Sequence, residues 1–386
     1  MNYVYLSPHF PTNYAPFISR LRQNGINVLG IGDDSYENLS ETVKNNLVEY
    51  YRVSDLHRYD ELVRAMGYFT HRFGKLDRVE SHNEYWLETE ARLRTDFNLD
   101  GPKLDDIGWI KQKSKMKRIY TNAGLQVARG RIIKNLRDAQ KLVKETGYPL
   151  VAKPDKGVGA SATYKISNDQ ELAAFFENPP QVEYIFEEFI SGDLFSFDGL
   201  ANQDGEVVFY TSHVFSRGIM ETVNEDTHLF YYSLRDIPQE IVDLGFKTIK
   251  AFNVRARFFH LEFFNTGDGR ILALEVNMRP PGGLTTDMFN YANDFDIYEE
   301  YANMIAFNQF NAVGERRYHA AYVSRKNHYQ YALSHHKILE QFGNLIVQHT
   351  PISPVIRDAL GDYAYILRAE DMETLFPVIK EIHRTC

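Results

Sequence analysis

The chain has 386 residues, a length that predicts two or three domains at about 150 residues each. Apolar residues make up 44% and charged residues 25%, which excludes a disordered protein. The 43 lysines and arginines against 52 acidic residues give a net charge of -9, which disfavours nucleic acid and anionic membranes as partners. Cys386 is the only cysteine, so neither a disulfide framework nor a cysteine-based zinc site forms within one chain. We expect a cytoplasmic protein, because the sequence also has no export signal and no apolar run of ~18 residues.

The first hundred residues alternate apolar runs with helical patterns. Tyr3 to Leu6 and Ile26 to Gly32 predict strands, whereas Pro16 to Gln23 and Tyr59 to Phe73 predict helices. This alternation predicts an open α/β sheet. The first strand runs into Ser7-Pro8-His9 without a glycine, which argues against a dinucleotide site.

A small α/β unit with a lid is predicted next. It begins with a basic helix over Lys111 to Asn122 and a strand over Gln126 to Ile133. Two further strands, Pro149 to Lys153 and Thr163 to Ser167, are joined by the glycine-bearing loop Lys156 to Ser161. Because such a loop of small residues moves easily, we expect it to serve as a lid.

The remainder predicts a larger sheet domain. A buried strand over Val182 to Ile190 precedes a hairpin over Leu194 to Phe215, which turns near Asp204-Gly205. The helix Gln239 to Phe252 leads to a second hairpin over Phe258 to Asn277. The later predicted elements are helices within Thr285 to Phe310, strands near Tyr318 to Ser324 and Tyr363 to Leu367, and a helix over Met372 to His383.

The second hairpin carries the sharpest chemical signal. If Asp268-Gly269 is a two-residue turn, counting back six pairs places Glu262 opposite Glu275. Strand alternation puts Asn277 on the same face. Two carboxylates ~5 Å apart repel, and together with an amide oxygen they suit magnesium or manganese. The alternative is a polar sheet face closed by a salt bridge to Arg279.

Two further signals lie upstream. Lys153 closes a buried strand beside the loop with Gly157 and Gly159, and a lysine there is costly unless it meets an anion. Together they predict a triphosphate clamp, although an end-of-strand lysine is often solvated. Glu187 and Glu188 break an apolar strand, so one of them points inward, unless both are exposed at the strand end.

In this order, the motifs resemble the ATP-grasp family, specifically its carboxylate-amine ligase branch. The elements are the lysine-bearing segment Lys113 to Lys117, Lys153 with its loop, the hinge Glu187 to Gly192, and Glu262 with the run Glu275 to Arg279. The resemblance spans about Trp86 to Asn308. It implies an α/β grasp fold: an N-terminal pre-ATP-grasp domain (1–108), a small lid subdomain (109–184) and a large antiparallel-sheet subdomain (185–386).

The resemblance also implies site residues and cofactors. Its ATP-binding residues are Lys113, Lys153, Lys156, Gly157, Gly159, Ser161, Glu187, Glu188, Ile190 and Asp193. Lys113 and Lys153 would contact phosphates, Glu187 the adenine amino group, and the Glu188 and Ile190 backbones the ring edge. Lys117, one turn past Lys113, is a competitor, and an exposed basic helix face is the alternative for Lys111, Lys113, Lys115 and Lys117. The ribose partner is open, because Leu194 stands where relatives often carry a glutamate and Asp193 lies beside it.

Glu262, Glu275 and Asn277 would hold Mg²⁺ or Mn²⁺, with Arg279 and Lys153 as catalytic residues. The implied activity is ATP-dependent joining of a small-molecule carboxylate, such as an amino acid, to an amine through an acyl phosphate. A grasp-fold kinase and a non-catalytic ATP sensor are the alternatives. The run Pro280 to Gly283 before a helix suggests a substrate carboxylate site, although a Pro-Gly turn with a threonine cap explains the same residues without a ligand. Arg217 and His228 are substrate-loop candidates. Relatives of this type are commonly dimers, so a homodimer is a further expectation.

Overall fold

A computed structural model describes residues 1–157, 162–218, 222–223, 225–313 and 316–386. Its helices are α1 Ala15–Gln23, α2 Glu41–Asn46, α3 Tyr59–Phe73, α4 Leu87–Asp96, α5 Leu104–Lys111, α6 Lys113–Asn122, α7 Leu136–Thr146, α8 Asp169–Glu177, α9 Gln239–Phe252, α10 Thr285–Asn293, α11 Ile297–Phe307, α12 His335–Phe342, α13 Arg357–Leu360 and α14 Met372–His383. Its strands are β1 Asn2–Leu6, β2 Asn27–Gly32, β3 Glu49–Arg52, β4 Arg78–Glu80, β5 Gly130–Ile133, β6 Leu150–Pro154, β7 Tyr164–Ile166, β8 Tyr184–Glu188, β9 Asp193–Ala201, β10 Val207–Phe215, β11 Phe230–Ser233, β12 Arg257–Asn265, β13 Ile271–Asn277, β14 His319–Arg325, β15 Ile346–Pro351 and β16 Tyr363–Ala369.

The N-terminal residues form a parallel sheet in the order β3-β2-β1-β4. One face packs Val4, Leu29 and Val79 against α3 and α4, while the other packs Tyr3 and Val28 against α1 and α11. Helices therefore cover both faces, as a parallel sheet requires. This architecture confirms the predicted open α/β sheet.

The middle of the chain forms a small antiparallel sheet in the order β5-β8-β6-β7, with α7 and α8 packed on it. Strand β8 (Tyr184–Glu188) spans the predicted boundary at residue 184, and the division into subdomains stays a prediction. The predicted single helix Lys111 to Asn122 is wrong, because the chain is extended at Gln112 and separates α5 from α6. The strand predicted from Gln126 begins only at Gly130, although Val127 makes an isolated bridge to Ala273.

The largest sheet among the described residues has eight strands in the order β13-β12-β9-β10-β11-β14-β16-β15. Aromatic side chains of β9 and β12, including Phe197 and Phe259, pack on one face against α6 and α9. Sequence periodicity did not predict β4, β11 and β15. No helix in the described ranges has the length and apolar character needed to cross a membrane.

A buried ion-pair network fastens the N-terminal sheet to the large sheet. Arg94 on α4 lies 2.8 Å from Glu80 and 2.7 Å from Glu90, and its side chain is 1% exposed. Arg257, at the start of β12, lies 3.1 Å from Glu80 and donates a hydrogen bond to the Met278 carbonyl. The end of β4 is thereby held beside the end of β13, where the predicted site residues lie.

This network predicts a large effect for Arg94→Met. The change leaves Glu80 and Glu90 buried without their shared cation, which should lower the free energy of unfolding by about 3–5 kcal/mol. Urea denaturation measures the loss. Arg92→Met on the same helix is the matched control, because exposed Arg92 only stacks on Tyr59 and should cost under about 1 kcal/mol. Equal losses in the two variants would contradict the role given to the network.

Candidate active site

Two glutamates face each other at the centre of the site. Glu262 on β12 pairs directly with Glu275 on β13, as the sequence predicted. The predicted two-residue turn is wrong, however, because Thr266 pairs with Arg270 around a three-residue turn and Phe263 lies opposite Ala273. A β-bulge at Leu274 adds one residue to β13 and restores the carboxylate pairing. The prediction therefore reached the correct pair through an incorrect turn.

The donor groups of this pair fit a hard divalent cation. Burial raises the pKa of Glu275, the carboxylates of Glu84 and Glu262 raise it further, and Lys113, whose Nζ lies 3.3 Å from Glu275, only partly offsets them. Asn277 is buried and lies two residues farther along β13. The described residues bring together no three His, Cys, Asp or Glu side chains that would enclose a metal. Two carboxylates and an amide therefore suit a magnesium ion that takes its remaining ligands from phosphate oxygens and water.

Three charged side chains form a second cluster. Glu187 on β8 is 4% exposed and pairs with Lys153 and Lys117, each ammonium lying 2.7 Å from one of its oxygens. Burial alone would raise the pKa of Glu187, but the two lysines lower it to about 2. Lys117 thus stands beside Lys153, and Lys113 beside Glu275. Glu187 is the counter-ion of two lysines, and its contact with adenine stays a prediction.

The loop after β6 is tied to the helix that carries Lys113. Asp155, a buried residue, accepts hydrogen bonds from the Ser114 backbone and hydroxyl, at 2.7 and 2.9 Å. Its own carbonyl accepts from the Lys113 backbone. Asp155 therefore caps α6 and satisfies amides that a helix start leaves unpaired. Of the predicted lid residues, Lys156 is exposed and Gly157 is half-buried, whereas Gly159 and Ser161 lie outside the described residues.

The predicted adenine segment follows β8. Glu188 pairs with Arg129, and its backbone N–H donates to the Arg129 carbonyl, so that N–H is already used within the small sheet. In the described part of the chain, the Ile190 N–H donates to no protein acceptor. Its contact with the adenine ring edge stays a prediction. Asp193 is exposed and pairs with Asn265 at the start of β9.

A cavity of about 390 Å³ lies beyond the end of β13. Arg279, two residues past Asn277, lines it and pairs with Glu84 at 2.5 Å. The predicted Pro280 to Gly283 segment also contributes, and Gly283 turns the chain into α10 with a φ of +65°. The cavity therefore holds one guanidinium and one carboxylate side by side at a helix start.

The N-terminal sheet forms another wall of this cavity. Residues that follow β1, among them Asn13, and residues that follow β4, among them His82 and Glu84, line it together with Gln348 of β15. The chain leaves the carboxyl end of β1 toward one face of the sheet and the carboxyl end of β4 toward the other face. Open α/β sheets bind ligands at such a position. Sequence analysis missed Glu84, since no spacing rule links it to Arg279 across 195 residues.

The substrate-loop candidates lie elsewhere in the described fold. Arg217 contacts Glu225 and Thr227 of its own loop, and His228 packs on Tyr329. Neither residue lines the cavity beside Arg279. Residues 219–221 and 224 of that segment are outside the described residues.

A buried polar row, also missed, runs from the carboxylate pair across the large sheet. Asp198 accepts contacts from His213 at 2.7 Å and from His260 at 2.5 Å, and the other ring nitrogen of His260 lies 3.2 Å from Glu262. Burial works against a charged His260 ring, but Asp198 and Glu262 outweigh it and raise its pKa to about 9. The signal in the sequence was the alternation of polar and aromatic residues from Phe195 to Asp198.

Comparison with known sequences gives the same family as the motifs. Residues 146–287 match the ATP-grasp domain. The chain is 24% identical over 249 residues to the L-arginine-specific L-amino acid ligase of Bacillus subtilis, which covers 62% of this chain. It is 26% identical over 195 residues to a carbamoyl phosphate synthase large chain of Thermotoga neapolitana, covering 48% of this chain. The chain spans 60% of the length of the first relative and 18% of the second.

Solved structures share the fold. An L-amino acid ligase from Bacillus licheniformis superposes with a TM-score of 0.75 at 15% identity, covering 99% of this chain and 96% of the other. An N5-carboxyaminoimidazole synthetase from Staphylococcus aureus gives 0.71 at 14% identity, covering 99% and 97%. The predicted fold class is confirmed.

The Glu187 cluster generates a pH-dependent prediction. Glu187→Gln leaves two buried ammonium groups without their carboxylate and should cost about 3 kcal/mol of unfolding free energy at pH 7. Because the folded pKa of about 2 lies below the ordinary 4.5, this stabilisation is present above about pH 5 and is lost as the pH falls toward 2. The difference from the wild type should therefore shrink by about 1 kcal/mol or more at pH 3.

Urea unfolding at the two pH values tests this expectation. Glu188→Gln is the matched control, since its partner Arg129 is exposed and its loss should cost under about 1 kcal/mol. A Glu187→Gln deficit that stays constant between pH 7 and pH 3 would contradict the assigned ion pairs.

Proposed function

Because the chain carries an ATP-grasp domain of the carboxylate-amine ligase branch, we propose that it joins a small-molecule carboxylate to an amine and consumes ATP. One observation carries this proposal. Strand β13 and its continuation bring Glu275, Asn277 and Arg279 in sequence from the carboxylate pair to the wall of the cavity. In this proposal, the five residues from Glu275 to Arg279 connect the nucleotide site to the substrate site.

The buried lysines support the nucleotide half of the proposal. The ammonium groups of Lys153 and Lys117 both pair with the carboxylate of Glu187, and that of Lys113 pairs with the carboxylate of Glu275. Three ammonium groups at least partly withdrawn from water suit the charge of a polyphosphate. Glu262, Glu275 and Asn277 would hold the magnesium ion, which when bound neutralises phosphate oxygens.

The cavity supports the substrate half. Arg279 offers a fork of donors to a carboxylate, and Glu84 offers an acceptor to an ammonium group. An amino acid presents the same two charges, and we propose amino acids as substrates on this ground and because a relative is named for such a reaction. The substrate carboxylate attacks the terminal phosphorus of ATP, ADP leaves, and the acyl phosphate is then attacked by the amine to release phosphate. Arg279 and Lys153 stabilise the charge that develops on the transferring oxygens.

The proposal predicts which substrates are required for ADP release. ADP and phosphate should be released when an amino acid or other carboxylate and an amine are supplied together, with an amide product detected by mass spectrometry. A stable phosphorylated product formed without amine would identify a kinase. ATP binding without turnover across the panel would identify a sensor.

Glu275→Gln tests the metal-holding role directly. The amide keeps the shape of the side chain but removes a charge, so ADP release should fall by more than about a hundredfold while circular dichroism stays unchanged. Asp268→Asn, at the exposed turn of the same hairpin, is the matched control and should keep wild-type turnover. Wild-type activity in Glu275→Gln would contradict the metal assignment.

A further inference from the structure

The polar row beside the carboxylate pair has a defined register. On β9, Ser196 lies opposite Glu262 of β12 and Asp198 lies opposite His260. On the other side of β9, Ser196 lies opposite His213 of β10. Because paired residues share a face, one polar row crosses three strands and ends at Glu262. The other face of these strands carries the aromatic core.

The contacts along the row lead from Asp198 through His260 to Glu262. Asp198 is fully buried, and its two oxygens accept from Ser196 and His213 on one side and from His260 on the other. Such a carboxylate needs several donors when it is withdrawn from water. With Nδ1 of His260 held by Asp198 at 2.5 Å, Nε2 is aimed at Oε1 of Glu262 at 3.2 Å.

Of the two carboxylate oxygens of Glu262, Oε1 is contacted by His260. Among the described residues, its Oε2 makes no hydrogen bond or ion pair. A flexible glutamate loses side-chain entropy when it is fixed on a cation, and a partner that fixes it beforehand removes part of that cost. Contacts of this kind behind metal-binding side chains typically change metal affinity by about 10–100-fold.

We propose that His260, anchored by Asp198, is a positioning residue that orients the Glu262 carboxylate toward the metal ion of the nucleotide. The inference rests on the proposed function, because it needs the metal site formed by Glu262 and Glu275. It assigns His260 no contact with substrate. Its effect is confined to the gain in nucleotide affinity that the metal provides.

The test compares two substitutions that each retain one half of the imidazole. His260→Asn keeps a donor near the Nδ1 position facing Asp198, whereas His260→Gln keeps one near the Nε2 position facing Glu262. The probe is the non-hydrolysable ATP analogue AMP-PNP, titrated calorimetrically in EDTA and again in Mn²⁺. The dissociation constant in EDTA divided by that in Mn²⁺ measures the coupling between metal and nucleotide. A larger ratio means a larger gain in affinity from the metal.

We expect His260→Asn to lower this ratio by about tenfold and His260→Gln to retain most of it, with metal-free affinity unchanged in both. Unchanged metal-free affinity shows an intact nucleotide site, which a general loss of structure would not leave. Ser212→Ala is the matched control, because Ser212 lies opposite Phe197, on the other face from the polar row, and its buried hydroxyl donates to a backbone carbonyl, that of Ser196. Its ratio should stay within about twofold of the wild type.

Each other outcome overturns the inference. A wild-type ratio in His260→Asn would refute it and leave the proposed function standing. Absence of any Mn²⁺ gain in the wild type would refute both the proposed metal site and this inference. If His260→Asn fails to fold, Asp198→Asn decides, because the weakened anchor should lower the ratio by about threefold or more, and an unchanged ratio refutes the inference.

Discussion

The placement of like charges in a partly buried site is the constraint on which the rest of this structure depends. Glu262 and Glu275 face each other across two strands, with Glu84 near enough to raise the pKa of Glu275. Such a group of carboxylates is stable only with cations beside it. Lys113 supplies one, Arg279 pairs with Glu84, and the two lysines on Glu187 extend the pattern. Acidic and basic side chains therefore alternate through the candidate site.

The fold holds these charges through a second, fully structural set of ion pairs. Arg257 reaches both Glu80 at the end of β4 and the carbonyl of Met278, the residue before Arg279. Aromatic packing of Phe17, Phe258 and Tyr301 adds apolar contact between the N-terminal sheet and the large sheet. These contacts join the cavity wall built by residues after β1 and β4 to the end of β13.

Much of the fold could be predicted from local patterns, because helices such as Gln239–Phe252 and strands such as β1 show clear periodicity. Strands β11 and β15 could not: β11 has only four residues and three of them are aromatic, so its sequence shows no polar alternation, and β15 contains no buried residue. Within the site, Glu262, Glu275 and Asn277 were accessible through strand alternation. Glu84 was not, because its pairing with Arg279 depends on a distance between elements that no local pattern specifies. Lys117 was named as a competitor of Lys113, but helix spacing did not reveal that it pairs with Glu187. The predicted roles of the ATP-binding residues stay predictions.

The bulge at Leu274 separates two strand registers within one hairpin. On its turn side, Phe263 lies opposite Ala273 in a register set by the three-residue turn, and on its other side Glu262 lies opposite Glu275 in a different register. Because the extra residue absorbs the mismatch, the turn and the end of the hairpin that carries Glu262 and Glu275 need not share one register. Related chains are thus free to vary the turn in length and composition, provided that the compensating residue in β13 varies with it.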